Sequence, residues 1–283
     1  MVSSTQAFLV CTGLTIAYVG VLYIHPNSRP SPMLSRNDDI VIKTRVTAIL
    51  LSSLVSALVS AWVINGIRVT FNPLEVFVLL GFFPLPSLYE LLVPSVVLTG
   101  ILFIGPLWEK VWYSGRGWRE LLYETGEGLA SWIGIRNYII GPLTEELVFR
   151  VCIISIELAS RMSPTKAMFI SPLYFATAHI HHAYEVYVSN PEYLYAAIGS
   201  SIVQFTITTV FGWYAAYIFL RTGTLWQPFI VHAFCNSMGV PKLGLRLDGP
   251  VVYTYVYHGL LVLGLVLFIV CLKPLSWTEG AMI

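Results

Sequence analysis

The sequence predicts an all-α, polytopic membrane protein, with about eight transmembrane helices around an intramembrane polar cavity. Three observations predict it. Of 283 residues, 56% are hydrophobic and 11% are charged, where soluble domains carry about 25% charged residues. Mean hydropathy is +0.74, so most of the surface has to face lipid. Apolar runs also recur at the length a helix needs to cross about 30 Å of hydrocarbon.

The first run, within 6–24, has no Lys or Arg ahead of it and no small-residue cleavage site behind it. It reads as an uncleaved span rather than a signal peptide. The second span is expected near 46–66. Residues 75–86 are too short to cross and contain Phe83-Pro84-Leu85-Pro86, which suits a re-entrant or interfacial piece. A third span is expected at 91–112. Between it and the fourth, Trp118, Leu121, Leu122, Leu129 and Trp132 alternate with Glu120, Glu124 and Glu127. That mixture predicts an amphipathic helix at the interface within 115–136, an ordinary polar connector being the alternative. The remaining spans are expected at 138–158, 166–182, 197–220, 224–240 and 253–272. No internal repeat or low-complexity tract divides the chain, so 1–283 reads as a single membrane domain.

Charge narrows the function classes. A net charge of +1 provides no basic patch for nucleic acid. Cys11, Cys152, Cys235 and Cys271 are scattered in apolar stretches without a CxxC pair, so neither a disulfide framework nor a zinc knuckle is expected. One side of the membrane collects Arg29, Arg36, Lys43, Arg45, Lys110, Arg116, Arg119, Arg136, Lys242 and Arg246. The other collects Arg68, Arg161, Lys166, Arg221 and Lys273. The richer side is expected to be cytosolic, which puts the N-terminus away from the cytosol.

Ionisable groups within a bilayer cost at least about 2.5 kcal/mol each and by default mark function. Here they concentrate in three segments: Gly141-Pro142-Leu143-Thr144-Glu145-Glu146-Leu147-Val148-Phe149-Arg150, Phe175 to His182, and His232 to Asn236. Pro142 suits a helix start. Glu146 and Arg150, one turn apart, can pair and so lower the cost of burying both. Glu145 then faces elsewhere, without a local cation, as a candidate general base. His179 can share that task. His232 and Asn236, also one turn apart, can aim two donors at a developing oxyanion. For each cluster a purely structural reading stands beside this one: a buried ion-pair network, interfacial histidines at 181 and 182, a polar contact between membrane helices. Three such clusters on three apolar segments favour a functional site. His25 and His258 stand outside the pattern.

These residues resemble the type II CAAX prenyl endopeptidases, the Ras-converting enzyme branch of the CPBP membrane family. Its E-E-x-x-x-R, F-x-x-x-H and H-x-x-x-N motifs stand here in order as Glu145 to Arg150, Phe175 to His179 and His232 to Asn236. The match covers roughly residues 137–240, the expected catalytic core. The resemblance implies an eight-helix, multi-pass enzyme of the endoplasmic reticulum membrane. It would remove the last three residues from proteins with a C-terminal farnesylated or geranylgeranylated cysteine, such as small GTPases of the Ras type. It implies that Glu145 and His179 activate water, that His232 and Asn236 stabilise the oxyanion, and that Glu146 and Arg150 hold the site in shape. No cofactor and no metal are expected. A cavity open to lipid and cytosol would admit the prenyl chain sideways, with 115–136 at its entrance.

Other readings remain. Glu145, His179 and His232 are suitable zinc ligands, although no H-E-x-x-H stands here. A thiol mechanism would need Cys152 or Cys235, and Cys235 lies off the His232–Asn236 face. From another class, intramembrane Glu and His also build proton-coupled carriers, but no paired broken helices recur between the two halves.

Overall fold

The computed structural model describes residues 2–65, 77–78, 80–115, 117–189, 191–244, 246–278 and 281–283. Every regular element among them is helical. In chain order they are α1 (Ser4–Gly20), α2 (Asp39–Asn65), α3 (Leu88–Leu102), α4 (Ile104–Tyr113), α5 (Gly117–Ala130), α6 (132–159), α7 (Pro164–Ala178), α8 (His181–Ser189), α9 (Leu194–Thr222), α10 (Trp226–Met238) and α11 (Val251–Leu275).

Local chemistry sets several ends. Ser3 accepts from the Gln6 amide while the Gln6 side chain reaches back, a capping box that starts α1. Ser163 caps α7, with Pro164 in its first turn where no N–H is needed. Gly223, at φ 69°, ends α9 in the left-handed conformation.

Among the described residues four helices are individually long and apolar enough to cross a bilayer: α1, α2, α9 and α11, with α3 and α4 a fifth crossing if their 77° bend lies within one span. Their outward residues include Leu51, Leu54, Ile202, Val203, Val262 and Ile269, all apolar and all more than half exposed. In water such a surface would aggregate; facing lipid it is satisfied. The protein is a multi-pass membrane protein. The spans expected at 166–182 and 224–240 fall on shorter helices: α7 has 15 residues and α10 has 13. At 1.5 Å per residue, α10 covers only about 20 Å. Of the re-entrant piece expected at 75–86, residues 75, 76 and 79 lie outside the described residues; the part at 80–86 is a turn-rich approach to α3.

Helix α6 is the hub. Phe149, Val151, Cys152, Ile153, Ile154 and Ile156 are all buried to within 1%, as expected of a helix apolar all round and surrounded by others. It touches α1, α2, α7, α9 and α10. Small residues allow the close approach of α2, which buries Ser53, Ser56, Ala57, Ser60 and Ala61 along one face. Two π-helical segments, Ile135–Ile140 and Leu147–Cys152, flank the turn Gly141–Glu146 within α6. Pro142 donates no hydrogen bond and crowds the preceding turn, and a widened turn accommodates it. A Cβ on residue 141 would lie 2.7 Å from the Arg136 carbonyl oxygen, so the close backbone approach needs glycine there.

Candidate active site

The Gly141–Glu146 turn carries the two acids in adjacent directions, about 100° apart. Glu146 is fully buried and forms the expected ion pair, its Oε2 3.1 Å from Arg150 Nε. Its other oxygen accepts from His232 Nδ1 at 2.6 Å. The Arg150 guanidinium lies 4.3 Å above the Phe175 ring and 5.5 Å from that of Phe211, so aromatic faces take up charge that a single carboxylate does not. Above the acids, the Tyr18 hydroxyl of α1 meets Thr144 Oγ1 at 3.0 Å, and Thr144 in turn donates to the Ile140 carbonyl.

Glu145 differs from expectation. Its carboxylate does not stand alone: His232 Nε2 stands 3.6 Å from Oε2. The turn places both acids toward α10, so one imidazole lies between two carboxylates. With Nδ1–H committed to Glu146, Nε2 is the nitrogen left toward Glu145. At 3.6 Å this is an ion-pair distance rather than a hydrogen bond.

His179 caps α7, and its Nδ1–H donates to the Phe175 carbonyl at 2.8 Å, leaving Nε2 as an acceptor. The Phe175 ring packs against both His179, at 4.5 Å, and His232, at 6.0 Å. The two histidines of different helices therefore share one aromatic spacer. Asn236 donates one amide N–H to the Asn137 carbonyl at 2.9 Å; its second N–H remains for another acceptor.

Glu145, His179 and Asn236 line one cavity of about 160 Å³ together with Tyr18 and Asn137. His232 sits behind it, 5% exposed. Next to it an apolar groove of about 690 Å³ runs between α1 and α7, past Phe8, Ile16, Leu173 and Tyr174, and shares Val19, Ala178 and His181 with the cavity. The 115–136 stretch contributes only Arg136 to these two hollows. Its Trp118 packs on Trp112 and its Trp132 lies under Lys43, so neither tryptophan of this stretch lines the cavity or the groove.

Sequence reasoning missed a second polar cluster. Arg45 of α2 pairs with Glu185 of α8 at 2.6 Å, and His182 Nδ1 meets the other Glu185 oxygen at 2.8 Å. Burial would raise the Glu185 carboxyl, but the hydrogen bond from His182 and the Arg45 charge together hold it down at about 2. The spacing of His181, His182 and Glu185 on a helix was the available signal. Their ligand atoms lie within 4.8 Å of one another, although Glu185 already engages Arg45 and His182.

A family model, type II CAAX prenyl endopeptidase Rce1-like, matches residues 127–238. The chain is 40% identical to the probable CAAX prenyl protease 2 of Schizosaccharomyces pombe, over 93% of this chain and 91% of that protein. It is 35% identical to CAAX prenyl protease 2 of Homo sapiens, over 94% of this chain and 80% of the relative. The Saccharomyces cerevisiae protein of the same name is 30% identical over 97% of both. No solved structure matches the chain. On these relationships, across nearly its whole length, the chain belongs to the Rce1-like type II CAAX prenyl endopeptidases.

Proposed function

We propose that this protein is an intramembrane endopeptidase that removes the C-terminal tripeptide from prenylated CAAX proteins, cutting after the isoprenylated cysteine. One observation carries the reading: Glu145, His179 and Asn236, from three helices, line one cavity, with His232 Nε2 3.6 Å from Glu145. Glu145 and His179 take the proton of a water as its oxygen attacks the peptide carbonyl. The free Asn236 N–H donates to the resulting oxyanion. His232 Nε2, 3.6 Å from Glu145, is the second group offered to it. Collapse breaks the C–N bond, and the proton passes to the departing amine. Glu146, held by Arg150, orients His232.

The groove between α1 and α7 suits the isoprenyl chain: it is apolar, and it meets the cavity at Val19, Ala178 and His181. The chain would then slide in from lipid while the peptide enters from water. Substrates on this reading are farnesylated or geranylgeranylated proteins, small GTPases among them, processed at the endoplasmic reticulum membrane. Counting α3 with α4 as one crossing and adding α6, α7 and α10 gives eight crossings. The carrier reading finds no support, since the relatives carry protease names.

The test uses purified protein and a farnesylated C-terminal peptide. Tripeptide release by the wild type, lost in Glu145→Ala and His179→Ala, supports the reading; no release by any form removes it. Activity that survives chelators and Cys235→Ser separates water attack from zinc and thiol chemistry.

A further inference from the structure

We propose that Arg36 and Arg136 form a subsite for the C-terminal carboxylate of the substrate, and that this subsite measures off the three residues to be removed. The inference rests on the endopeptidase reading and adds a specificity device to it.

The cavity that holds Glu145 is also lined by Arg36, Arg45 and Arg136. A larger, more open hollow of about 810 Å³ adjoins it, and the two share Arg36, Arg45 and His182. The arginines therefore stand where a peptide would pass from the outer hollow toward Glu145. Their charges are unequally matched. Arg45 is paired with Glu185 at 2.6 Å. Arg136 bonds only to neutral oxygens: the Asn137 side chain at 2.9 Å, the Arg36 carbonyl at 2.8 Å and the Asn37 side chain at 3.0 Å. Among the described residues the Arg36 guanidinium has no hydrogen bond or ion pair. Among the described residues, Arg36 at the junction and Arg136 in the inner cavity thus have no carboxylate at ion-pair distance, and a guanidinium fork is matched in geometry to one.

Length agrees. Three extended residues beyond the scissile bond reach about 10 Å, and the cavity that holds Glu145 runs past Arg36 and Arg45 into the larger hollow, which gives such a segment room to extend. On the proposal the terminal carboxylate of the leaving tripeptide rests at the arginines, and a chain with a longer tail would carry its carboxylate past them.

Steady-state cleavage of two farnesylated peptides tests this, one ending in a free carboxylate after three residues and the other in a carboxamide. For the wild type we expect KM to be about tenfold higher for the amide, with similar kcat. The amide-to-acid KM ratio should fall toward one in Arg36→Ala, which removes no hydrogen bond or ion pair of the side chain among the described residues, and remain largely intact in Arg36→Lys. A peptide with a fourth residue after the last should behave like the amide. Equal KM for acid and amide in the wild type would overturn the subsite while leaving the protease reading standing. So would a ratio that persists in Arg36→Ala and in Arg136→Gln. Cleavage of neither peptide would overturn both.

Discussion

His232 lies between two glutamates: its Nδ1 is 2.6 Å from Glu146 and its Nε2 is 3.6 Å from Glu145. Adjacent residues of α6 thus act on opposite edges of one ring from α10. Glu146 fixes the ring and is itself fixed by Arg150; Glu145 keeps access to the cavity, with 23% of its side chain exposed.

Removing the Glu146 charge should therefore damage fold and turnover together. Glu146→Gln leaves Arg150 buried without its partner, a loss of about 3 kcal/mol. The double change Glu146→Gln with Arg150→Met should recover much of the stability and none of the activity. Thermal unfolding in detergent and peptide cleavage, measured on the same preparations, read the two effects separately.

Glu145→Gln should do the reverse. Among the described residues its carboxylate has His232 Nε2 at 3.6 Å and no hydrogen bond, so the unfolding midpoint should stay within about a degree or two. Turnover should fall by about a hundredfold or more. A midpoint that collapses along with activity would make Glu145 a structural residue.

Asn236→Ala removes both amide N–H groups, the one on Asn137 and the one left for the oxyanion. We expect kcat to fall by about a hundredfold with KM nearly constant. A KM effect alone would mean that the residue holds substrate and does not stabilise the transition state.

Narrowing the α1–α7 groove should discriminate by prenyl length. Ile16→Trp and Leu173→Trp, both at positions lining the groove, should raise KM more for a geranylgeranylated peptide than for a farnesylated one. Identical KM changes for both lipids, or none, would remove the groove from the substrate path.

The Glu185 carboxyl is held near 2 in the folded protein, against an ordinary value of 4.5. A lowered folded value means that this contribution is complete above pH 4.5 and is lost as pH falls toward 2. Relative to Glu185→Gln, the wild type should lose its stability advantage over that window. A difference independent of pH would show that the Arg45 and His182 contacts act without the charge.

Much of this was legible in the chain. Hydropathy and scarce charge establish a helical membrane protein, because lipid leaves backbone polar groups no partner except their own helix. The three polar clusters name Glu145, Glu146, Arg150, His179, His232 and Asn236 by their cost in hydrocarbon. The Glu146–Arg150 pair follows from one turn of helix, and so does the Phe175–His179 contact.

What the chain alone left open is how these helices are rotated against one another. The apolar residues of α6 lie on all its sides around the two acids and Arg150, so its pattern marks no single inward face, and nothing local says that both acids turn toward α10. The Arg45–Glu185 pair, the Asn236–Asn137 bond and the junction of cavity and groove all join residues far apart in sequence. Sequence determined which groups had to be buried together; packing decided which of them meet, because contacts between distant helices depend on shape and rotation rather than on local pattern.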